Sequence, residues 1–413
     1  MIKKSIFSAF ILMIGMNLIA KGQIIYDPPS KKLIEFSWAS PDTRDYLKDL
    51  SLYDSGPFDG ISVKITAEVG GGRIFMVENL EKITEMNLVA EYKRIENIGK
   101  ESTLKHNFLV LYGASQMEWF SDRDWEKVEV YLRYAANLAK KGNFRGILWD
   151  PEPYKPGRNP WKYDDQPENN IHSFYEYYNQ VRKRGSQFIR VLQDEFPGLT
   201  ILSLREFSDY QTGSPFSQKI IPIEDIENAK NSLKGAWWGL HLPFTIGILD
   251  AIDENVTFID GNEEAYYYTS ALEYFKLRND IHNHMRALLP NGLHHKFKSS
   301  YYIGHAVSTD YIAGNWVGLN SFPYRLSAQG EMLTPAEKAK WFEHNLYYAL
   351  IASDEYVWLY SEDLNWWTGE KVPVGFPEAL ERAREKVRKQ APLGFNIEDM
   401  LERARDAAER KYK

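Results

Sequence analysis

Two carboxylates lie within one short segment that ends a predicted strand. In "GILWDPEPY" at 146–154, Asp150 and Glu152 stand between prolines directly after an apolar run. Alternate residues of an extended chain share a face, and a residue before proline is steered out of the helical region, so both side chains should point the same way. Such a pair suits general acid–base chemistry. The competing interpretation is a turn in which Asp150 caps the backbone and Glu152 is a surface residue.

Further acidic residues come just after other predicted strands. In chain order they are Glu206, Glu263, Glu264 and Glu362. Cleavage of a glycosidic bond needs one carboxyl group to protonate the leaving oxygen and a second to attack the anomeric carbon or activate water. We predict Glu152 as the acid and Glu263, which follows a glycine turn, as the nucleophile or base. Glu264 and Glu362 are alternatives for the second role, and Asp150 is expected to tune its neighbour or hold a sugar hydroxyl.

Aromatic residues make up 14% of the chain, and several lie close to these acids. Flat rings stack on the apolar faces of sugars, although composition alone favours the more ordinary use of such rings in a large core. Rings beside Glu152 would lower the local polarity and favour its protonated form. The predicted substrate-binding set is Trp38, Trp149, Tyr154, Trp161, Glu206, His241, Glu264, Tyr266, His305, Trp366 and Trp367.

The elements that must position these residues alternate between short apolar runs and longer helical patterns. The runs predict strands at 33–38, 59–65, 106–112, 144–150, 199–204, 256–260, 299–306 and 355–360. Helical patterns cover 122–141, 169–196, 264–289 and 334–351, and the charged tail 377–413 reads as solvated outer helix. Eight strands alternating with helices predict a (β/α)8 TIM barrel. We expect the long stretches 66–105, 151–168 and 205–255 to be loop insertions on its C-terminal face, and a doubly wound open sheet is the alternative.

Four segments carry a resemblance to a known class of proteins. They are "FDGISVKI", "GILWDPEPY", "FIDGNEEAYYY" and "YVWLYSEDLNWW". Together they resemble secreted bacterial TIM-barrel proteins of the glycoside-hydrolase type, over most of the chain at the level of strand order. The resemblance implies a carbohydrate-active barrel with acids after strand four and after strand six or later. The chain departs from the large clan with Asn-Glu-Pro after strand four, because Asp-Pro-Glu-Pro stands there.

The composition and the first residues indicate the setting. Residues 1–22 have a positive start, an apolar run and a small-residue site, which predicts a signal peptide; an uncleaved anchor is the alternative. Residues 23–413 are then one catalytic domain with a C-terminal helical extension, secreted or periplasmic in a bacterium. A net charge of -7 argues against nucleic acid as a partner. We expect a carbohydrate substrate and neither metal nor cofactor. The alternatives are a non-catalytic carbohydrate-binding barrel and a hydrolase or lyase that uses a carboxylate-held metal.

Overall fold

Eight parallel strands close into a barrel. This computed structural model describes residues 31–69, 72–75, 85–113, 118–153, 158–210, 232–315, 322–362 and 364–412. The strands are β1 (Lys32–Ser37), β2 (Gly60–Val63), β3 (Phe108–Tyr112), β4 (Gly146–Asp150), β5 (Thr200–Ser203), β6 (Thr257–Asp260), β7 (Tyr301–Ile303 continued by His305–Ser308) and β8 (Tyr356–Ser361). The predicted (β/α)8 fold and all eight predicted strands are therefore confirmed.

The barrel closes through β7, which changes partner at Gly304. Its first part pairs with β6 and its second part with β8, and β8 pairs in turn with β1. The backbone N–H of Gly304 donates to the carbonyl of Asp260 at 2.7 Å, so that the chain stays attached to β6 as it shifts. A separate antiparallel hairpin, Thr66–Val69 with Gly72–Phe75, lies outside this sheet.

Helices surround the barrel and cover its outer face. They are α1 (Thr43–Lys48), α2 (Leu50–Asp54), α3 (Glu85–Glu101), α4 (Asp122–Lys141), α5 (Phe174–Glu195), α6 (His241–Ala251), α7 (Ala271–Asn279), α8 (His294–Ser300), α9 (Thr309–Ala313), α10 (Phe322–Glu331), α11 (Pro335–Ala352), α12 (Phe376–Arg388) and α13 (Glu398–Tyr412). In the part of the chain that the structure describes, none of them is long and apolar enough to cross a membrane. The predicted signal peptide lies outside the described residues.

Some predicted helices and loops differ from the structure. The predicted helix 264–289 is a 3-10 turn at Glu263–Tyr267 followed by α7, because Ser270 forms a new N-terminal capping box with Glu273. Two of the predicted loop insertions contain helices of the barrel, α3 and α6. The sequence of α6, "HLPFTIGILDA", is apolar nearly all round since the helix is buried, so it lacks the amphipathic pattern that reveals a surface helix.

The two faces of each strand have different surroundings. In β8, Trp358 and Tyr360 face the barrel interior, where both rings contact Phe36 of β1. In β4, Asp150 is paired in register with Tyr112 of β3 and faces the interior. Trp149, the residue directly before Asp150, lies on the opposite face of the strand. The interior face leads up to the mouth of the barrel, and the outer face packs against the helices.

Candidate functional site

Three adjacent strands bring Glu152, Arg205 and Glu263 side by side at the C-terminal end of the barrel. The backbone pairing continues beyond β5, since the N–H of Leu204 donates to the carbonyl of Trp149 at 3.0 Å. The N–H of Glu263 donates in turn to the carbonyl of Leu204 at 3.1 Å. These bonds extend the sheet just far enough to align the three side chains.

The guanidinium of Arg205 donates to both carboxylates. Its Nε lies 2.7 Å from Oε1 of Glu152, and its Nη2 lies 3.0 Å from Oε1 of Glu263. Nε and Nη2 form one edge of the planar guanidinium, so one edge serves two carboxylates from different strands. The two predicted catalytic acids are therefore neighbours across a single cation.

Two more acids hold the other side of the same guanidinium. Nη1 of Arg205 lies 3.3 Å from Oδ1 of Asp209 and 3.9 Å from Oε1 of Glu264. The Arg205 guanidinium also lies 5.5 Å from the ring centroid of Trp238, a cation–π contact. We call Arg205 with Glu152, Asp209, Glu263 and Glu264 the Arg205 cluster.

Burial distinguishes the acids of the Arg205 cluster. The side chain of Glu152 is 26% exposed, that of Glu263 13%, and those of Asp209 and Glu264 are almost fully buried. Burial raises the pKa of Glu263 well above its ordinary value; Arg205 opposes this rise, and Glu152 and Asp150 add to it. Burial likewise raises the pKa of Asp209 against the opposing effect of Arg205. Burial thus favours the protonated form of Glu263, which is more exposed to the cleft than Asp209 is.

The segment after β4 turns as soon as the strand ends. The carboxylate of Asp150 accepts a hydrogen bond of 3.0 Å from the backbone N–H of Glu152, and Asp150 is fully buried. Asp150 thus lies deeper than Glu152, and it caps the turn, as the competing interpretation held. The indole N–H of Trp161 donates to the carbonyl of Pro151 at 2.7 Å and holds the segment from behind.

The segment after β6 is just as constrained. A side chain at Gly261 would place its Cβ 2.5 Å from the carbonyl oxygen of Ser203, so only glycine permits this close approach. Asn262 takes the left-handed conformation with φ of 46°, and the chain then presents Glu263 to Arg205. Glu264 reaches the same guanidinium from a buried position, so both residues that the sequence left open belong to the cluster.

Tyrosines and one exposed tryptophan extend the mouth beyond Glu263. Tyr266 stacks on Tyr360 with a centroid distance of 5.2 Å, and Glu263 is among the charges that raise the pKa of both hydroxyls after the larger effect of burial. The Tyr360 hydroxyl donates to Glu362, which is exposed. Trp38 is 49% exposed. A hydrogen bond between the Trp38 side chain and the Tyr360 hydroxyl places Trp38 beside Tyr360, so Tyr266, Trp38 and Glu362 surround Tyr360, with Glu362 at the rim of the mouth and away from the contacts of Arg205.

Several residues of the predicted substrate-binding set lie elsewhere. Trp149 and Trp161 are 1% and 2% exposed and pack against the helices, so the premise that these rings surround Glu152 is wrong. His241 lies between them, with its ring centroid 4.7 Å from that of Trp161 and 5.8 Å from that of Trp149. Glu206 accepts a hydrogen bond from Thr245 of α6 and is fully buried. We call Trp149, Trp161, Glu206 and His241 the outer aromatic layer.

The remaining predicted residues also pack away from the mouth. His305 is fully buried, contacts Tyr274 of α7 and has its Nδ1 2.8 Å from Nδ2 of Asn262. The rings of Trp366 and Trp367 contact Phe58, so both extend the core. These placements correct the prediction that the three side chains line the cleft. Tyr154 lies outside the described residues.

The sequence did not single out all members of the cluster. Neither Arg205, which contacts Glu152 and Glu263, nor Asp209 was among the predicted site residues. The spacing of Arg205 and Asp209, four residues apart after a strand, is the one signal that could have indicated their pairing. Among the described residues, no group of three or more His, Asp or Glu side chains is arranged to hold a metal ion. The acids converge instead on a cation of the protein itself.

Comparisons with known proteins find similarity only among solved structures. No family model matches the chain, and no curated protein matches it. An endo-β-mannanase/endo-β-glucanase from Prevotella bryantii has 11% identity and a TM-score of 0.45, over 86% of this chain and 48% of that one. The chain thus spans about half the length of that protein.

Two further solved structures show the range of the similarity. A broad-specificity endoglucanase from an uncultured bacterium has 10% identity and a TM-score of 0.42, over 84% of this chain and 85% of that one. A putative sugar phosphate isomerase/epimerase from Anabaena variabilis has 10% identity and a TM-score of 0.40, over 87% of this chain and 97% of that one. The barrel assignment rests on the strand order above, and identities this low carry no information about the substrate.

Proposed function

We propose that the chain is a glycoside hydrolase that cleaves a polysaccharide or oligosaccharide with Glu152 and Glu263 as its catalytic pair. The observation that carries this proposal is the single guanidinium edge of Arg205, which donates to both carboxylates at 2.7 and 3.0 Å. Glycosidic cleavage requires two carboxyl groups that flank the scissile bond, and Arg205 brings two such groups together at the barrel mouth. The exposed ring of Trp38, which follows β1 and lies beside Tyr360, offers a surface on which a sugar can stack.

The environments of the two acids favour roles opposite to those predicted from the sequence. Glu263 is the more buried acid, and burial raises its pKa, so it suits the proton donor. Glu152 is the more exposed one, at 26%, and accepts a hydrogen bond from Arg205 at 2.7 Å, so it is the acid that is placed to act as nucleophile or base. In this assignment Glu263 protonates the leaving oxygen while Glu152 acts at the anomeric carbon, directly or through water.

A glycan hydrolysis screen tests the proposal, with Glu152→Gln and Glu263→Gln beside the wild type. Each variant should lose a factor of about 10² to 10⁴ in rate on a natural glycan. A substrate with a good leaving group needs less protonation, so Glu263→Gln should retain more activity on an aryl glycoside than Glu152→Gln does. Activity of the wild type should fall as the pH rises through the pKa of Glu263.

Glu362→Gln is the matched control, because Glu362 is an exposed acid at the rim of the same mouth. It should keep most of the wild-type rate. Equal losses of Glu263→Gln on both substrates would remove the proton-donor role from Glu263. Glycan binding without hydrolysis by the wild type would identify a carbohydrate-binding barrel instead, and hydrolysis abolished by a chelator would identify a metal-dependent hydrolase.

A further inference from the structure

We infer that Arg205 is a positioning residue that holds Glu152 and Glu263 at a fixed spacing and places its positive charge beside both of them. The inference rests on the proposed function, because it assigns the pair whose spacing matters. Arg205 itself is placed behind the carboxylates and is not expected to touch the sugar.

The geometry of the guanidinium makes arginine specific for this place. Nε and Nη2 point in parallel from one edge and serve Glu152 and Glu263, while Nη1 points to Asp209 and Glu264 on the other side. A lysine ammonium is a single point charge and lacks such a rigid fork. Arg205 therefore fixes where two carboxylates from different strands lie relative to each other.

The guanidinium is itself held in place on several sides. The Arg205 side chain is only 10% exposed. Its guanidinium contacts Asp209, four residues further along the chain, and lies 5.5 Å from the ring centroid of Trp238. Each carboxylate of the pair uses Oε1 for Arg205. No contact with a described residue occupies Oε2 of either carboxylate, so this second oxygen is placed to meet the substrate while the cation that orients the pair stays behind.

Charge carries the second half of the inference. The groups that face Arg205 are the four acids of the cluster, with Trp238 and the neutral His241 behind them; Asp150 acts on Glu263 from β4. Without a cation, two adjacent carboxyl groups would disfavour ionisation of each other and both would tend to protonate. Arg205 opposes the effect of burial on Glu263, so its loss should move the titration of Glu263 to higher pH.

The test uses Arg205→Ala and Arg205→Lys, with Arg182→Ala as the matched control. Arg182 forms a two-point ion pair with Asp250 between α5 and α6, at 2.6 and 2.8 Å, and lies outside the cluster. Titration of the Glu263 carboxyl is followed by ¹³C NMR of the glutamate-labelled protein, with Glu263→Gln identifying the resonance. The rate on the best glycan is measured over the same pH range, with and without added guanidinium ion.

In Arg205→Ala the Glu263 titration should move up by about one pH unit or more, and the alkaline limb of the rate profile should move with it. The rate should fall by about 10²-fold, and millimolar guanidinium, but not sodium at equal ionic strength, should restore at least about tenfold. In Arg205→Lys, Glu263 should titrate at nearly the same pH as in the wild type, but the hydrolysis rate should fall. Lysine keeps the positive charge but lacks the rigid fork of the guanidinium.

An unchanged titration and rate profile in folded Arg205→Ala, or changes no larger than those of Arg182→Ala, would overturn the inference. If Arg205→Ala does not fold, Arg205→Lys decides: wild-type rates in that variant would overturn it. The NMR readout needs no activity, so a shifted titration in a protein that cleaves no glycan would reject the proposed function and retain the role of Arg205. Cleavage of a glycan together with an unshifted Glu263 titration in Arg205→Ala would retain the proposed function and reject the role of Arg205.

Discussion

The Arg205 cluster and the outer aromatic layer lie on opposite sides of the same strands and use similar residue types in opposite ways. The cluster gathers four acidic side chains around the Arg205 cation, and two of them, Glu152 and Glu263, are partly exposed to solvent. The outer aromatic layer places Glu206 and His241 among rings where water is excluded, and burial raises the pKa of Glu206 and lowers that of His241 to about 3. Both groups are thereby favoured in their neutral forms. An acid or histidine near a strand end thus becomes functional or structural according to the face it occupies.

The largest effect expected from this comparison concerns stability. Trp149→Ala should lower the free energy of unfolding by about 3 to 5 kcal/mol, because it leaves a cavity among Trp161, Phe188 and Phe244. Trp38→Ala removes a half-exposed ring and should change the free energy of unfolding by about 0.5 kcal/mol or less. Denaturant unfolding of both variants measures the contrast. Equal stability losses would mean that the mouth and the layer are not distinct environments.

A second effect concerns acid stability. Because burial, assisted by the charge of Arg205, lowers the pKa of His241 from 6.5 to about 3, the folded state favours the neutral ring. The stability that depends on a neutral His241 is fully present above pH 6.5 and is lost as the pH falls toward 3. By pH 4 this loss lowers the free energy of unfolding by about 3 kcal/mol.

His241→Gln tests that effect against His295→Gln, which replaces an exposed histidine. Unfolding free energies measured between pH 7 and pH 4 should fall less steeply in His241→Gln than in the wild type, whereas His295→Gln should follow the wild type. Burial also lowers the pKa of His305 to about 3, so His305 contributes to the pH dependence of the unfolding free energy in every variant. Parallel slopes for all three proteins would show that His241 is not held neutral by the fold.

The smallest effect concerns binding at the mouth. Trp38→Ala should weaken binding of the oligosaccharide found in the hydrolysis screen by about 1 to 3 kcal/mol, because one stacking surface is lost. Calorimetry on the Glu152→Gln background measures it without turnover. Tyr175→Ala removes an exposed ring from the outer helix α5 and should bind as before. Equal affinities of the Trp38→Ala and Tyr175→Ala variants would place the sugar elsewhere.

The alternation of faces along β4 places Asp150 toward the barrel interior, and the same alternation predicts that Trp149 faces outward. Neighbouring residues of a strand face opposite ways, so a tryptophan next to an interior aspartate belongs to the outer face. The prediction of Trp149 as a sugar-stacking ring applied that rule to the acids but not to the ring directly before Asp150. Trp366 and Trp367 offered no such signal, because they follow β8 in irregular chain whose direction has no period.

The sequence by itself determined the eight strands, their order and the position of the acids at their C-terminal ends. Those features are local, since apolar β-prone runs bounded by Gly, Pro, Asn and Asp form strands wherever such strands can be buried. Only the tertiary structure decided that Arg205 joins Glu152 and Glu263, which are 53 and 58 residues away along the chain. It also decided which acid is the more buried and hence which is favoured as the proton donor. Burial and charge depend on all the groups packed around a side chain, and no spacing along one segment records them.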